Sequence, residues 1–574
     1  MDKNNIEKLR EVNYEKIAME LALLCHTGVP MDDSSIYLIA YVLLRIQLDD
    51  YIKFNTVEEF IKTSKDSERR GLFIKQRLKK IWEKVVKLKD KYDVESLKAF
   101  ILYFEPDGRM AYDSTPVGVA KLAAKIMDIE PGDRVADFGT GKANFIRESM
   151  ILQPDAIYYG NDVNTAAVEI ATIRAQILGG EINIVQEDIF DMKDKEHKFD
   201  VAFANYPFGM RARDAWRNGF NQFEEFIKTH PDFSRTVSLD WVFNKAVYNT
   251  IAGPRRAVCI MTNGSTWNTL DRNARRYFLD RGAVEAVISL PSNLYQNTSI
   301  GTTMIIFSHG NTSTMMVDAS EMCETGRRYN VITDKNIEKI ISCLTCEGKY
   351  SKRVSFQEIR ENDYVLNPVR YMTEEISIPD GVPFESIIKR ITRGAPLTAK
   401  ELDKLSSATS TNAQYLMLAN IKDGIIDDEL PYIKKIDAKQ EKYCVKNNSL
   451  IISKNGYPYK IAVAEVPAGY QILANGNLFV IELDEDKVNP YFMKAFLESE
   501  VGISILKNIT VGATIPNIGL EQLKKITVPC PPVEKQNVIA NKYLAMVDEI
   551  KLLRRKTNKL TSNLKHLFDE YEEA

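Results

Sequence analysis

The sequence predicts an α/β protein. A doubly wound sheet follows an N-terminal helical domain and precedes a C-terminal α+β domain and a long terminal helix. Three observations carry this. Between about 105 and 310, short apolar runs alternate with helical patterns, as strands and crossover helices do. The first hundred residues show only helical spacing. Beyond about 375, short strand-like pieces sit among loops and lead into a heptad repeat.

Apolar residues recur at helical spacing over 14–25, 36–46 and 73–88. Pro30 with Asp32-Asp33-Ser34-Ser35 marks a loop and a helix start. From 61 to 100, 13 Lys and Arg face 6 Asp and Glu, a solvated helix face or a surface toward phosphate. The expected strands are 134–138, 156–160, 182–186, 200–204, 257–262, 283–290 and 302–308. Ligands bind such sheets beyond the carboxyl ends of the strands, so the loops after each run are where chemistry is sought. In the last third, 414–418, 449–453, 460–466 and 477–482 read as strands. Tyr543, Met546, Ile550, Leu553, Thr557, Leu560, Leu564 and Leu567 alternate by three and four, a helical seam that seeks another helix. Expected domains are 1–104, 105–372, 373–535 and 536–574.

Composition narrows the function. With 44% hydrophobic and 27% charged residues, the chain is an ordinary globular protein. The net charge of -3 gives no overall basic field, but a nucleic-acid partner needs only a local patch. The longest apolar run, 36–44, has nine residues, whereas a membrane helix needs about 20. The first residues are polar, so no signal peptide and no membrane partner are expected, and a cytoplasmic location is. Seven cysteines include the single C-x-x-C pair Cys343 and Cys346, and the five histidines are scattered, so no metal site is expected. Gly139-Thr140-Gly141-Lys142 resembles half a P-loop, yet Ala143 stands where magnesium needs Ser or Thr. Pro154-Asp155 and Glu196-His197-Lys198 make no credible nuclease.

The chemistry lies at four strand ends. The first strand runs into Asp137-Phe138-Gly139-Thr140-Gly141, where an acid precedes glycines that let backbone approach a ligand ahead of a helix. The second ends at Asn161-Asp162, 25 residues after Asp137, where an acid can accept ribose hydroxyls. The third ends at Glu187-Asp188, where an acid can bind an adenine amine. The fourth ends in Asn205-Tyr206-Pro207-Phe208-Gly209. Asn205 offers a side-chain oxygen, a proline-braced turn can aim a main-chain carbonyl beside it, and Phe208 can stack on a base. Two acceptors grip both hydrogens of an exocyclic amine and favour the geometry that frees its lone pair. No titrating His or Cys is required.

These segments, in this order, resemble the amino-methylating, S-adenosylmethionine-dependent DNA methyltransferases. More closely, 105–372 resemble the modification subunit of type I restriction systems. Gly108 with Thr115-Pro116, Tyr158 to Asp162, Leu290 to Tyr295, Thr298 to Thr302 and Asp363 to Pro368 are similar to successive segments of that subunit. The last 190 residues or so resemble half of the matching specificity subunit. There Leu450 to Gly456, Gly512 to Ile518 and Ile526 to Pro532 with Gln536 carry the likeness, and the heptad helix corresponds to a spacer helix.

The resemblance implies an adenine-N6 methyltransferase with S-adenosyl-L-methionine as cofactor and double-stranded DNA as partner. Thr115, Pro116, Asp137, Gly139, Gly141, Asp162 and Asp188 would hold the cofactor. Asn205, the main chain at Tyr206 and Pro207, and Phe208 would hold a flipped adenine. Arg211, Arg213 and Arg217 follow directly and are candidate phosphate contacts; Lys454 and Lys460 are candidate contacts in the recognition domain. With one recognition domain and one helix, a homodimer through the C-terminal helix would read two half-sites, and a separate restriction subunit would do any cutting. Two positions depart from the family: Tyr206 replaces a proline, and the glycine loop is short. Cytosine N4 and a DNA-binding subunit without activity are the rival expectations.

Overall fold

A computed structural model describes residues 3–566, except 27–32, 49–53, 65–66, 106–113, 192–197, 212–227, 235, 254, 297, 373–376, 457 and 512–516. Gly108, Arg213, Arg217, the segment 512–516 and Leu567 lie outside the described residues. The chain forms two compact units, Met1–Met372 and Thr373–Ala574.

The first unit is built on nine strands: β1 Arg134–Phe138, β2 Ile157–Asp162, β3 Glu181–Gln186, β4 Val201–Asn205, β5 Ala257–Thr262, β6 Val284–Ser289, β7 Thr302–Phe307, β8 Ser313–Asp318 and β9 Ser351–Ser355. Their order is β9-β8-β6-β7-β5-β4-β1-β2-β3. Strands β3, β2, β1, β4 and β5 are parallel, β7 runs antiparallel between β5 and β6, and β8 is parallel to β6. The seven expected strands are present to within two residues at each end. Strands β8 and β9 were not expected. Strand β9 pairs antiparallel at the sheet edge and leaves Lys352 and Arg353 exposed, so its sequence reads as polar.

Alternation along the central strands fills both faces. Val135, Val201, Phe203, Val258 and Ile260 enter one apolar layer; Ala136, Phe138, Ala202, Ala204 and Cys259 enter the other. Strand order reverses between β1 and β4, which opens the ligand crevice at their carboxyl ends.

Helices Glu15–His26, Asp33–Leu48 and Val94–Tyr103 build their own core around Tyr37, Tyr41, Phe60 and Phe100. The expectation of one helix over 73–88 needs correction. Glu68–Leu78 ends in a 3-10 turn, Lys79–Ile81, before Trp82–Val86. The tighter turn brings Trp82 onto Phe60, with ring centroids 5.6 Å apart. Within the basic stretch, Arg70 is buried and donates to Glu169 Oε1 at 2.5 Å and Gln176 Oε1 at 2.6 Å. Lys79 pairs with Glu58 at 3.0 Å and Lys91 with Glu20 at 2.7 Å.

One buried guanidinium joins the helices to the sheet. Arg174, on helix Thr165–Leu178, donates to the carbonyls of Ile101 and Lys142 at 2.8 Å each and of Phe104 at 2.9 Å. It also donates to Asn144 Oδ1 at 2.8 Å and Glu105 Oε1 at 3.1 Å. Nearby charge and these bonds hold the group charged despite burial.

The second unit contains a four-stranded sheet, Ile388–Arg393, Leu478–Leu483, Leu450–Ser453 and Ile461–Val463, and a three-stranded one, Ala413–Leu416, Gln471–Ala474 and Cys444–Val445. Gly381–Pro383 pairs with Thr527–Pro529, which ties the start of the unit to its end. Helix Val533–His566 is anchored by buried Gln536, whose amide donates to Lys487 O at 2.9 Å and Pro531 O at 2.7 Å. Past Tyr543 its apolar seam is bare: Met546 is 64% exposed, Leu553 55% and Leu560 64%. Among the described residues, no helix is long and apolar enough to cross a membrane, and no cluster of side chains could hold a metal ion.

Replacing Arg174 by Met is expected to cost about 3–5 kcal/mol, because Glu105 and several carbonyls lose their partner. Replacing Arg134, whose pair with Asp200 is half exposed, is expected to cost less than about 1 kcal/mol. Denaturant melts of the two variants test the contrast.

Candidate active site

The turn after β1 is wound by three left-handed residues, Gly139 (φ 67°), Gly141 (φ 51°) and Ala143 (φ 61°), before helix Asn144–Leu152. A Cβ on Gly139 would meet only the Tyr206 ring, at 3.7 and 4.0 Å, so that face of the turn is open to a ligand. The Thr140 amide donates to Asn161 O at 2.8 Å. The Gly141 amide donates to Asp162 Oδ2 at 3.0 Å, and the Asn164 amide to Asp162 Oδ1 at 2.8 Å. Turn and second-strand acid are therefore one hydrogen-bonded piece.

Asp137 is buried, and the Thr140 hydroxyl donates to its Oδ2 at 2.7 Å. Burial pushes its carboxyl up to about 7; the Thr140 bond opposes the shift and the Asp162 charge adds to it. At the ends of β2 and β3, Asn161 Nδ2 donates to Glu187 O at 2.9 Å, and Asn161 Oδ1 is buried without a partner among the described residues. Tyr159 donates to Glu187 Oε2 at 2.7 Å, and Asp188 Oδ1 accepts from the Phe190 amide at 3.0 Å.

Asn205 ends β4. Its Nδ2 donates to Thr115 Oγ1 at 3.0 Å, and its Oδ1 accepts from the Tyr295 hydroxyl at 3.3 Å. Phe208 is half-buried and meets Tyr295 edge to face, 5.0 Å between centroids. Pro207 is exposed. Tyr206 turns the other way. Its ring stacks on Phe243 at 4.2 Å, and Phe243 stacks on Phe190 at 5.3 Å. The Tyr206 hydroxyl is buried without a partner among the described residues, and burial drives its pKa well up. An inward ring thus braces the turn from below, where a proline would stiffen it from within.

Thr115 and Pro116 precede helix Val117–Met127, whose first turn Pro116 starts. The Thr115 carbonyl accepts from Asn144 Nδ2 at 2.9 Å, and Asn144 Oδ1 accepts from Arg174. Hydrogen bonds therefore run without a break from Arg174 through Asn144 and Thr115 to Asn205 and Tyr295. Asn144, Arg174, Phe243 and Tyr295 were not singled out from sequence. Only Tyr295 carried a signal, its place in the 290–295 segment.

The expected DNA contacts are differently placed. Arg211 donates to Ser238 Oγ at 2.8 Å and lies 3.8 Å from Asp271, with 35% of its side chain exposed. Lys454 and Lys460 belong to the second unit. The Lys460 amine donates to Leu418 O at 2.7 Å. Lys454 is partly buried, and burial together with the nearby Arg393 lowers its pKa.

A mixed sheet with a parallel core and the reversed strand β7 between β5 and β6, a glycine turn after β1 and an Asn-x-Pro-Phe turn after β4 define an α/β methyltransferase fold. The type IIG restriction endonuclease BpuSI shares the fold at TM-score 0.50 and 11% identity, over 95% of this chain and 74% of its own. Residues 108–377 match the N-6 DNA methylase family, and 404–562 match the type I restriction modification DNA specificity domain. The chain thus joins an N-6 DNA methylase domain to a type I specificity domain. It is similar to the type I restriction enzyme MpnII methylase subunit of Mycoplasma pneumoniae, 24% identical over 288 residues, 46% of this chain and 53% of that protein. The MjaIX methylase subunit of Methanocaldococcus jannaschii is 24% identical over 321 residues, 51% and 57% of the two chains. The chain therefore spans little more than half the length of these relatives.

Because the folded pKa of Asp137 lies above its ordinary 3.8, the native state keeps a proton that the unfolded chain releases. The stability this gives is complete below about pH 4 and is lost as pH rises through about 7. Asp137→Asn is expected to be more stable than the parent at pH 8, by on the order of 4 kcal/mol, and to melt correspondingly higher, with little difference at pH 4. Thermal melts at the two pH values check this.

Proposed function

We propose that the chain transfers a methyl group from S-adenosylmethionine to adenine N6 in duplex DNA. The single observation that carries this is the Asn205 amide, fixed at the carboxyl end of β4 beside Phe208 and next to the glycine turn. The match to the N-6 DNA methylase family supports adenine over cytosine, and the match to the specificity domain supports DNA as substrate.

The residues suit the cofactor. Gly139 leaves an open cradle, Asp137 and Asp162 suit an ammonium and a ribose diol, and Asp188 suits an adenine amine. Thr115 and Pro116 border the same crevice, with the Thr115 hydroxyl on Asn205. When bound, S-adenosylmethionine supplies the methyl group. Its ammonium would draw Asp137 toward the ionised form, since opposite charge favours the carboxylate.

The target adenine must leave the duplex stack, at a cost of a few kcal/mol. Phe208 would stack on it. Asn205 Oδ1 and a main-chain carbonyl at Tyr206 or Pro207 would accept its amine hydrogens. Catalysis then rests on positioning, which can supply roughly 7–11 kcal/mol. Lys454 and Lys460 would contribute to reading or holding DNA through the second unit, and Arg211 through the first. A homodimer would form through the bare seam of helix Val533–His566, giving two recognition domains for two inverted half-sites. Cutting would fall to a separate restriction subunit.

Asn205→Ala is expected to lower methyl transfer by at least about 100-fold while costing no more than about 1–3 kcal/mol of stability, since the Thr115 and Tyr295 hydroxyls lose this partner. Sequencing that detects modified bases, on DNA from expressing cells, reads both activity and base; retained adenine methylation by the variant sinks the mechanism. Replacing Leu553 and Leu560 together by Lys is expected to convert a dimer to a monomer, because both are exposed on the seam. Sedimentation of parent and variant decides it.

A further inference from the structure

We infer that Arg393 and Lys454 together bind one backbone phosphate of DNA, a role that rests on the function proposed above and deepens it. The pair holds the duplex without reading its sequence, and Arg393 enters as a new contact.

The four-stranded sheet of the second unit has two unlike ends. Strands Ile388–Arg393 and Leu450–Ser453 lie on either side of Leu478–Leu483. At the end where Ile388 stands opposite Leu483, acids match the cations. Lys389 pairs with Asp484 at 3.1 Å, Lys487 with Asp484 at 3.2 Å, Arg390 with Glu482 at 3.1 Å and Lys446 with Glu482 at 2.7 Å.

The other end carries Arg393 and Lys454. Arg393 stands opposite Phe479, and the Lys454 amide donates to Asn477 O at 2.7 Å. Phe479 and Asn477 are two residues apart on the middle strand, so both cations lie on one side of the sheet. Their backbones are about 10 Å apart, two strand spacings, which an Arg and a Lys side chain can close. Arg393 is exposed and Lys454 half-buried. Neither side chain has an acid or a hydrogen-bond partner among the described residues. The sequence around them explains this: 391–400, 453–464 and 470–481 contain no Asp or Glu, in a chain that has 79. Lys460, at the same end, is already spent on Leu418 O.

The loops that carry the two cations are tied together. The Lys454 carbonyl accepts from the Ile518 amide at 2.9 Å, and Asn455 is bonded to Asn477 at 3.2 Å and to Asn517 at 2.7 Å. Gly394 packs so closely on the Asn475 carbonyl that a Cβ there would collide with it. Two like charges are therefore held near each other, and burial with the Arg393 charge lowers the Lys454 pKa. An anion between them relieves both costs. Base edges are neutral, whereas every nucleotide of the backbone brings one negative charge, so the anion DNA offers is a phosphate.

The test is binding by the full-length chain to two duplexes, measured by fluorescence anisotropy across a range of KCl. One duplex has mixed sequence; the other carries the methylation sequence mapped from DNA of expressing cells. Replacing Arg393 and Lys454 together by Gln is expected to lower the slope of log K against log salt by about 0.9, one phosphate contact. Binding then weakens about eight-fold at 0.1 M salt, and alike on both duplexes. Replacing Lys389 and Lys487 together by Gln makes the same charge change at the acid-matched end and is expected to leave the slope as it was. The melting temperature of the first variant is expected to hold or rise, because neither side chain has a partner to lose. If it falls, Arg393→Gln alone, at an exposed position, must lower the slope in its place. An unchanged slope overturns the inference, as does an equal fall in both double variants, which would mark net charge alone. A loss confined to the mapped sequence overturns it too, since the pair would then read bases. If no adenine methylation is found in expressing cells, the methyltransferase reading falls and the mixed-sequence duplex still decides the phosphate site. If the parent binds neither duplex, the DNA partner falls and this inference with it.

Discussion

The buried Arg174 guanidinium is the interaction on which the first unit depends. It closes the last turn of a helix from the N-terminal domain, through Ile101 and Phe104, onto the glycine turn at Lys142 and onto Asn144. A charge without solvent is costly, and here acceptors on every nitrogen of a planar fork offset that cost. The same residue fixes Asn144, which holds the Thr115 carbonyl, while the Thr115 hydroxyl holds Asn205. The helical domain is thus part of the scaffold of the site. Arg70 on Glu169 and Arg10 on Glu148 at 2.7 Å repeat the device at lower multiplicity.

Electrostatics in the crevice follow from where acids end strands. Asp162 satisfies two backbone amides and stays tied to the glycine turn. Asp137 lies deeper, with one hydroxyl donor, and burial lifts its pKa toward neutrality. A cationic ligand group would find one ready anion and one that ionises on its approach. The net charge of -3 is no obstacle to a DNA partner, because a local basic patch is enough.

The second unit solves a separate problem, holding a long helix by one end. Gln536 is buried, and Tyr543 donates to Glu498 Oε2 at 2.6 Å, beside the Lys494–Glu498 pair at 2.7 Å. Beyond that point the helix makes exposed ion pairs with the unit, as between Arg555 and Asp428 at 3.1 Å. Exposed pairs contribute little, so the apolar seam, not these pairs, sets what the helix can bind.

Much of this protein was legible in its sequence. Periodicity placed seven strands, because alternation between two buried faces is a local property of each strand. The positions of Asp137, Asp162, Asp188 and Asn205 followed, because a strand's end is as local as its interior. The polar edge strand β9 and the 3-10 turn at Lys79–Ile81 were missed, because neighbours rather than propensity decide them. Tertiary structure alone turned Tyr206 inward onto Phe243 and set Thr115 and Tyr295 on either flank of Asn205. The two Asn205 contacts each span 90 residues and depend on where β6 and the 115 segment come to lie, so no local pattern announces them. The sequence determined which groups stand at the crevice, and the fold decided which atom of each faces it.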